Sequence, residues 1–270
     1  MTKLIFLGSG SAFTVGANNF QSNMLLVTEK NHKLLIDCGT DIRLSLHAAG
    51  LSYLDITDIY ISHLHSDHVG GLEYIAFSTL FDPRCQKPNI YLSKDVSTNL
   101  WDRTLSGGLR FLEGDIATMN TFFEQHKIDR NGHFTWQEIK FDLVKVAHVD
   151  NGFYRMPSYG LFFTLEGVKI FLSTDTQLCL DENQEYYEQA DIIFHDCETS
   201  HYQTPVHANY GELSELPATI KNKMWLYGYQ PGLLPDAKKD GFCGFVKCGQ
   251  VFQFPLVQKH QLFEPMSKVS

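Results

Sequence analysis

His63-Leu64-His65-Ser66-Asp67-His68 places three imidazoles and one carboxylate within six residues. Imidazole nitrogen and carboxylate oxygen are atoms that divalent cations such as Zn²⁺ take as ligands. So many of them in so short a stretch can serve two ions rather than one. The stretch follows directly on an apolar run, Ile59-Tyr60-Ile61. Side chains alternate along an extended segment, so His63 and His65 project to the same side. Asp67 and His68 fall where the chain turns into a helix predicted over 69–80, and they can point at a second ion beside the first. A lone His-x-His is more often a surface or hydrogen-bonded pair; four ligand-type side chains at a strand end are a far more specific signal.

Two ions need more ligands than this stretch supplies. Later strands end on further candidates: His148 follows the segment 141–147, Asp175 follows 170–174, and His195 follows 191–194. His207 precedes a predicted helix, and His201, six positions earlier, is the alternative to it. Any one of these alone would read as a turn cap or a strand-end histidine bonded to backbone; together they form a pattern. Tyr154, Arg155 and Tyr159 lie close after His148 and are candidates for substrate contact, with a plain loop as the alternative. His32, His47, His126, His133 and His260 have no comparable setting and are read as ordinary.

The elements that must position these groups interleave strand and helix patterns. Strands are predicted over 3–7, 23–27 and 33–37, a helix over 40–49 ending at Gly50, and over 58–62 a buried strand that delivers the histidine motif. Further strands are read over 89–92, 141–146, 191–194 and 225–227. Residues 161–165 and 169–172 flank Glu166-Gly167, a hairpin signal. Helices are read from Lys94 and over 212–221, and the segments 245–246 and 251–254 suggest a closing hairpin. Residues 102–135 are polar, dotted with glycine and without a clean period. No repeat or Pro/Ser-rich linker divides the chain, so a single domain over 1–270 is expected, with 93–135 read as a cap or insert. Gly8-Ser9-Gly10 lacks the third glycine of a dinucleotide site, having Phe13 in its place, and reads as a tight strand-to-loop turn.

Composition bounds the rest. A hydrophobic fraction of 43% with 20% charged residues fits a globular protein. No apolar run approaches the roughly 20 residues that cross a bilayer. The run Leu4-Ile5-Phe6-Leu7 before Gly8 is too short for a signal peptide, so no membrane partner and a cytoplasmic location are expected. The six cysteines include no C-x-x-C pair and are read as free thiols. A net charge of −9 argues against a broadly basic nucleic-acid surface, without excluding an anionic substrate, because bound dications invert the local field.

The motif and the ligand series together resemble the metallo-β-lactamase superfamily of hydrolases, and within it the ribonuclease Z-like branch. The resemblance rests on His63–His68, on Pro157-Ser158-Tyr159-Gly160 after His148, on Ser173-Thr174-Asp175-Thr176, on Ile193-Phe194-His195-Asp196 and on His207 opening a helix. It implies an α+β fold, the αββα sandwich of two mixed β-sheets flanked by helices. It implies two Zn²⁺ per chain, with Mn²⁺ as the substitute: His63, His65 and His148 on one ion, Asp67, His68 and His207 on the other, and Asp175 bridging. Asp67 and His195 would be catalytic, His195 as proton donor to the leaving group. Such a pair of ions shares a water whose pKa falls toward about 7 and neutralises charge on a phosphoryl oxygen. His65 stands where redox members of the superfamily carry glutamate, which favours hydrolysis.

One departure from the branch bears on substrate. Ribonuclease Z of the bacterial type carries a long arm for tRNA between the third histidine and the bridging aspartate. Here that interval is 27 positions, filled by a loop and the hairpin, with no room for the arm. Trp225-Leu226-Tyr227-Gly228-Tyr229 also stands where relatives often show a histidine. The expected function is therefore phosphodiester hydrolysis of a small nucleotide, similar to the arm-less, anti-Pycsar-type cyclic nucleotide phosphodiesterases. The alternatives are tRNA 3′-processing, thioester or lactone hydrolysis on the same fold, and a non-catalytic binding module. A homodimer is expected by analogy.

Overall fold

A computed structural model of the chain describes residues 1–15 and 19–255; His260 lies outside the described residues. In chain order the first strands are β1 (Thr2–Phe6), β2 (Met24–Val27), β3 (Lys33–Ile36), β4 (Asp58–Ile61), β5 (Asn89–Ser93), β6 (Phe111–Leu112), β7 (Asp115–Ile116) and β8 (Glu124–Ile128). They are followed by β9 (His133–Trp136), β10 (Ile139–Lys145), β11 (Tyr159–Leu165), β12 (Val168–Leu172), β13 (Ile192–Asp196), β14 (Met224–Tyr227), β15 (Gly244–Phe245) and β16 (Val251–Phe254). Two seven-stranded sheets result, ordered β16-β1-β2-β3-β4-β5-β8 and β15-β14-β13-β12-β11-β10-β9. Both are mixed. Pairing changes from antiparallel to parallel at β3 in the first sheet and at β12 in the second.

Each strand next to that change has an apolar centre and is buried on both faces: Asp58-Ile59-Tyr60-Ile61 in β4 and Ile192 to Asp196 in β13. Continuous burial is what a parallel strand covered by helices on one side and by a second sheet on the other requires. The sheets meet through aromatic side chains. Phe6 of β1 packs at 5.2 Å from Phe194 of β13 and 5.5 Å from Tyr227 of β14. Phe134 of β9 stacks at 5.7 Å on Tyr60 and 4.8 Å on Tyr91. The fold is the α+β sandwich of two mixed sheets flanked by helices.

The helices are α1 (Ile42–Ala48), α2 (Ser66–Val69), α3 (Leu72–Phe81), α4 (Lys94–Asn99), α5 (Ser106–Leu109), α6 (Met119–Phe122), α7 (Leu180–Gln189), α8 (Tyr210–Ser214) and α9 (Ala218–Lys221). A π-helical turn, Leu100–Leu105, joins α4 to α5. Gly50, at φ +72°, ends the first helix as the sequence implies. Its N–H bonds His47 O while the Leu51 N–H reaches Leu46 O, which satisfies two orphan carbonyls.

Three expectations are corrected. The helix predicted over 69–80 starts earlier and breaks at Gly70-Gly71 into α2 and α3. The helix predicted over 212–221 is two short helices, because Pro217 has no N–H to donate and sets a new start. The closing hairpin does not form: β15 pairs with β14 in the second sheet while β16 pairs with β1 in the first. A two-residue strand followed by a turn looks local in sequence, but here the chain crosses between sheets. Within 93–135, β8 and β9 are outer strands of the two sheets, and the stretch between β5 and β8 holds the helices and the exposed β6–β7 ribbon.

Phe6 is fully buried between the sheets. Phe6→Ala is expected to cost about 3–5 kcal/mol of unfolding free energy, read from urea denaturation, with the metal complement unchanged in the folded fraction.

Candidate metal centre

The histidine motif starts where β4 leaves the sheet. Asp37, just beyond β3, holds that exit: its Oδ1 accepts the Ser62 N–H at 2.8 Å and its Oδ2 accepts the Ser62 hydroxyl at 2.7 Å. Gly39 lets the next turn lie against the motif. A Cβ on it would stand 2.1 Å from Asp67 O, so no larger residue fits without displacing the backbone that carries Asp67. The second sheet contributes His148 from the end of β10, Asp175 from the end of β12, and His207 from the loop before α8.

These side chains converge. His65 Nδ1 lies 3.2 Å from His63 Nε2 and 3.0 Å from His148 Nε2. Asp175 Oδ2 lies 3.2 Å from His68 Nε2, 3.7 Å from His148 Nε2 and 3.9 Å from His63 Nε2. Asp67 Oδ2 lies 3.1 Å from His68 Nε2. Three groups could hold an ion: His63, His65, His148 and Asp175; Asp67, His68 and Asp175; and Asp175, Asp196 and His207. Asp175 is common to all three.

The protons on these rings can be assigned from their partners. His148 Nδ1 faces the Val206 carbonyl at 2.7 Å, which only accepts, so Nδ1 carries the hydrogen and Nε2 a lone pair. The Ser62 hydroxyl is spent on Asp37, so His63 Nδ1 donates to it at 3.0 Å and again Nε2 bears a lone pair. His68 Nδ1 donates to Asp37 Oδ2 at 2.7 Å, and His207 Nδ1 donates to Asp196 Oδ2 at 2.6 Å. His68 Nε2 is then left buried, without a hydrogen-bond partner, against two carboxylates. Lone pairs facing lone pairs and carboxylates at 3 Å repel unless a cation stands among them. Nitrogens bound to one tetrahedral Zn²⁺ at 2.0–2.1 Å lie about 3.3 Å apart, close to the spacing found. The residues present therefore fit a divalent metal.

Electrostatics divide the rings: His63 and His65 are lowered, whereas His68, despite its burial, is raised well above its ordinary pKa by Asp175, Asp67 and Asp37. Burial and the neighbouring rings push His63 well below its ordinary pKa, and burial lowers His65. Both stay neutral, as ligands must. Burial alone would raise the Asp175 carboxyl, but the imidazoles of His68, His63 and His207 hold it well below the usual range. Burial opposes charge on His207, yet Asp196 and Asp175 lift it to about 10.

The other sequence candidates fare differently. His195, expected as a proton donor, is fully buried and does not face the centre. Its Nδ1 donates to Asp196 O at 2.6 Å, so Nε2 accepts from the Tyr187 hydroxyl at 2.6 Å. Burial pushes its pKa down to about 4. Both of its ring nitrogens are thus engaged within the core, by the Asp196 carbonyl and the Tyr187 hydroxyl. Tyr159 is likewise fully buried, donating to Asp95 Oδ2 at 2.8 Å. Arg155 is committed to Glu182 at 2.8 Å and to Asp150 at 3.3 Å. Of that trio only Tyr154 is free at the surface, 55% exposed. His207 joins two carboxylates, whereas His201 is exposed and belongs to no such group among the described residues. His207 shares its group with Asp196 rather than with Asp67 and His68. Sequence reading missed Asp37 and gave Asp196 no role. The signal available for both was an acidic residue closing an apolar strand.

Facing mixed sheets with a histidine–aspartate centre at the strand ends define a metallo-β-lactamase-fold protein. Solved structures agree on the fold. The metallo-β-lactamase fold protein YhfI of Bacillus subtilis superposes with a TM-score of 0.71 at 17% identity, over 94% of this chain and all of that one. Human tRNase Z, short form, gives 0.67 at 19% identity, over 94% and 100%. The family model for anti-Pycsar protein Apyc1 matches residues 2–252, and the chain belongs to that family. Relatives of that name include one from Paenibacillus harenae, 32% identical over 83% of this chain and 88% of its own. Another, from Bacillus phage vB_BveM-Goe7, is 31% identical over 92% and 97%.

His63→Ala is expected to strip metal from the purified protein, read by elemental analysis, with far less effect on folding than loss of a core residue. His195→Ala should do the reverse. Metal content stays at the parent level while stability falls by about 1–3 kcal/mol, because the Tyr187 hydroxyl and Asp196 carbonyl lose their buried partner. Loss of a metal in His195→Ala would refute its placement in the core.

Proposed function

We propose that this chain is a metal-dependent phosphodiesterase acting on a small nucleotide diester such as a cyclic nucleotide. We assign it two Zn²⁺ per chain, with Mn²⁺ as the substitute. The observation that carries this reading is Asp175 Oδ2, one carboxylate oxygen that faces His63, His148 and His68 at once. A shared oxygen between two ligand sets suits two ions side by side. The family name supports the substrate class, since anti-Pycsar relatives match over most of their own length.

In this reading His63, His65 and His148 would hold one ion and Asp67 and His68 the other, with Asp175 common to both sets and His207 approaching Asp175 from the Asp196 side. Bound ions supply Lewis acidity toward the phosphoryl oxygens and acidify water into the neutral range. Asp67, a carboxylate 9% exposed beside both ligand sets, is the group we assign to take the proton of an attacking water. Asp37, Asp196, Ser62 and the Val206 carbonyl fix the ring orientations, so the ligands need no rearrangement. The net charge of −9 and the pairing of Arg155 weigh against a tRNA backbone as substrate. A homodimer in the cytoplasm completes the proposal; no helix among the described residues is long and apolar enough to cross a membrane.

The test is a substrate panel on metal-loaded protein: 2′,3′- and 3′,5′-cyclic nucleotides, a 3′-extended precursor tRNA and a lactone. Cyclic nucleotide turnover that disappears on dialysis against chelator and returns with Zn²⁺ or Mn²⁺ is expected. Efficient tRNA trimming or lactone opening with inert cyclic nucleotides would overturn the assignment.

A further inference from the structure

The loop between β13 and α8 carries two groups of the centre: the Val206 carbonyl that orients His148, and the His207 ring. Its outer part faces solvent, with His201, Tyr202 and Gln203 all exposed. Exposed loop backbone is mobile unless something ties it down. The 2.7 Å bond from His148 Nδ1 nevertheless needs the Val206 carbonyl in one place.

One residue holds both ends of this loop. Glu198, just beyond β13, is 2% exposed. Its backbone secures the far end: the Glu198 N–H donates to Ala208 O at 2.8 Å, and the Glu198 carbonyl accepts the Tyr210 N–H at 3.0 Å. Its carboxylate secures the near end. Oε2 accepts the Thr204 N–H at 2.8 Å, and Oε1 lies 3.2 Å from the Ser200 hydroxyl. Among the described residues, the hydrogen bonds that lead out of the stretch from Ser200 to Pro205 all end on this carboxylate. Thr204 is followed by Pro205, whose ring fixes its own φ and confines the residue before it to extended backbone. The anchor at the Thr204 N–H is therefore passed stiffly to Val206, two residues on.

We propose that Glu198 is a positioning residue of the metal centre, its carboxylate closing the loop so that the Val206 carbonyl and His207 stay set against His148 and Asp196. The proposal rests on the metal-centre reading above and adds what keeps two of its rings aimed from a loop that faces solvent. Glu198 touches neither ion nor substrate in this role. It acts as a hydrogen-bond acceptor for the Thr204 N–H, so an uncharged acceptor of the same shape serves as well.

Glu198→Gln and Glu198→Met separate these properties. Both keep the length of the side chain; glutamine retains an acceptor for the Thr204 N–H and methionine has none. Zn²⁺ affinity is read on apo-protein by competition with a chromophoric chelator. Glu198→Met is expected to weaken the binding of at least one zinc about 10–100-fold, as loss of a group that orients ligands does, while Glu198→Gln stays near the parent. A lower Tm in Glu198→Met with parent-level zinc affinity would make Glu198 a packing residue only and overturn the proposal. Equal weakening in both variants would assign the effect to charge and overturn it too. Two readouts need no metal. In histidine-labelled apo-protein, the downfield His148 Nδ1–H resonance is expected in the parent and in Glu198→Gln, and is expected to vanish by fast exchange in Glu198→Met. In the parent alone, the Thr204 amide should exchange with deuterium about tenfold more slowly than that of Gln203, as one added hydrogen bond predicts. A Thr204 amide that exchanges as fast as its neighbour overturns the loop closure whether or not the variants fold. A parent that binds no zinc, with the His148 resonance still lost in Glu198→Met, would uphold the closure and sink the metal reading instead.

Discussion

Asp37 Oδ2, Ser62 Oγ, Val206 O and Asp196 Oδ2 each accept the Nδ1 hydrogen of one histidine at 2.6–3.0 Å. The far nitrogen of each of those rings is thereby turned toward the centre, and the rings cannot flip without losing a buried hydrogen bond. His65 is the exception, turning Nδ1 itself toward His63 and His148. Buried lone pairs and carboxylates packed at about 3 Å are costly in a low-dielectric interior. The fold tolerates the cluster because a divalent cation converts the same atoms from mutual repulsion into a ligand set. Pre-set tautomers also mean that binding an ion requires no reorganisation of the rings, only displacement of protons.

Where the cluster can form is settled by sheet topology. In each sheet the pairing changes direction once, at β3 and at β12, and the chain connections diverge there, leaving a crevice at the strand ends. Asp37 closes β3 and the histidine motif leaves β4 on one side; Asp175 follows β12 and Asp196 closes β13 on the other. The sheets face each other across Phe6, Phe194 and Tyr227, so the two crevices meet as one site. Core and centre thus share one interface between the sheets, the aromatic packing in its middle and the ligand set at the strand ends.

Much of this was legible in the sequence. The short spacing within His63–His68 survives any uncertainty in element boundaries, and the apolar runs of β4 and β13 announce buried strands. What failed was what depends on distant partners. His195 ends a strand just as His148 does. The opposite roles of the two rings follow from Tyr187, eight residues earlier on α7, whose hydroxyl occupies one nitrogen of His195, and nothing in the local spacing shows that. Tyr159 looked like a loop residue near the site but is buried against Asp95, 64 positions away. The supposed closing hairpin failed for the same reason: β15 and β16 find partners in different sheets. Asp37 was unread because a carboxylate that orients a histidine 31 positions on has no periodic signal of its own.

Backbone geometry supplies a last constraint. Asp37 sits at φ +62° and Thr174 at φ +54°. The left-handed region is uncommon for aspartate and strained for a β-branched residue, at about 1–3 kcal/mol each. Both positions lie where a strand must turn sharply to aim a carboxylate: Asp37 its own, Thr174 that of Asp175. Neither can relax easily. The Asp37 carboxylate is tied to Ser62 and His68, and the Ser173 hydroxyl donates to Thr174 O at 2.8 Å while receiving the Asp196 N–H at 3.0 Å. Glycine at either position would remove the strain but add freedom to the unfolded chain, which favours unfolding; at Asp37 it would also remove the acceptor. The strain is retained because an unstrained strand end would carry Asp175 Oδ2 away from the one point that both ligand sets share.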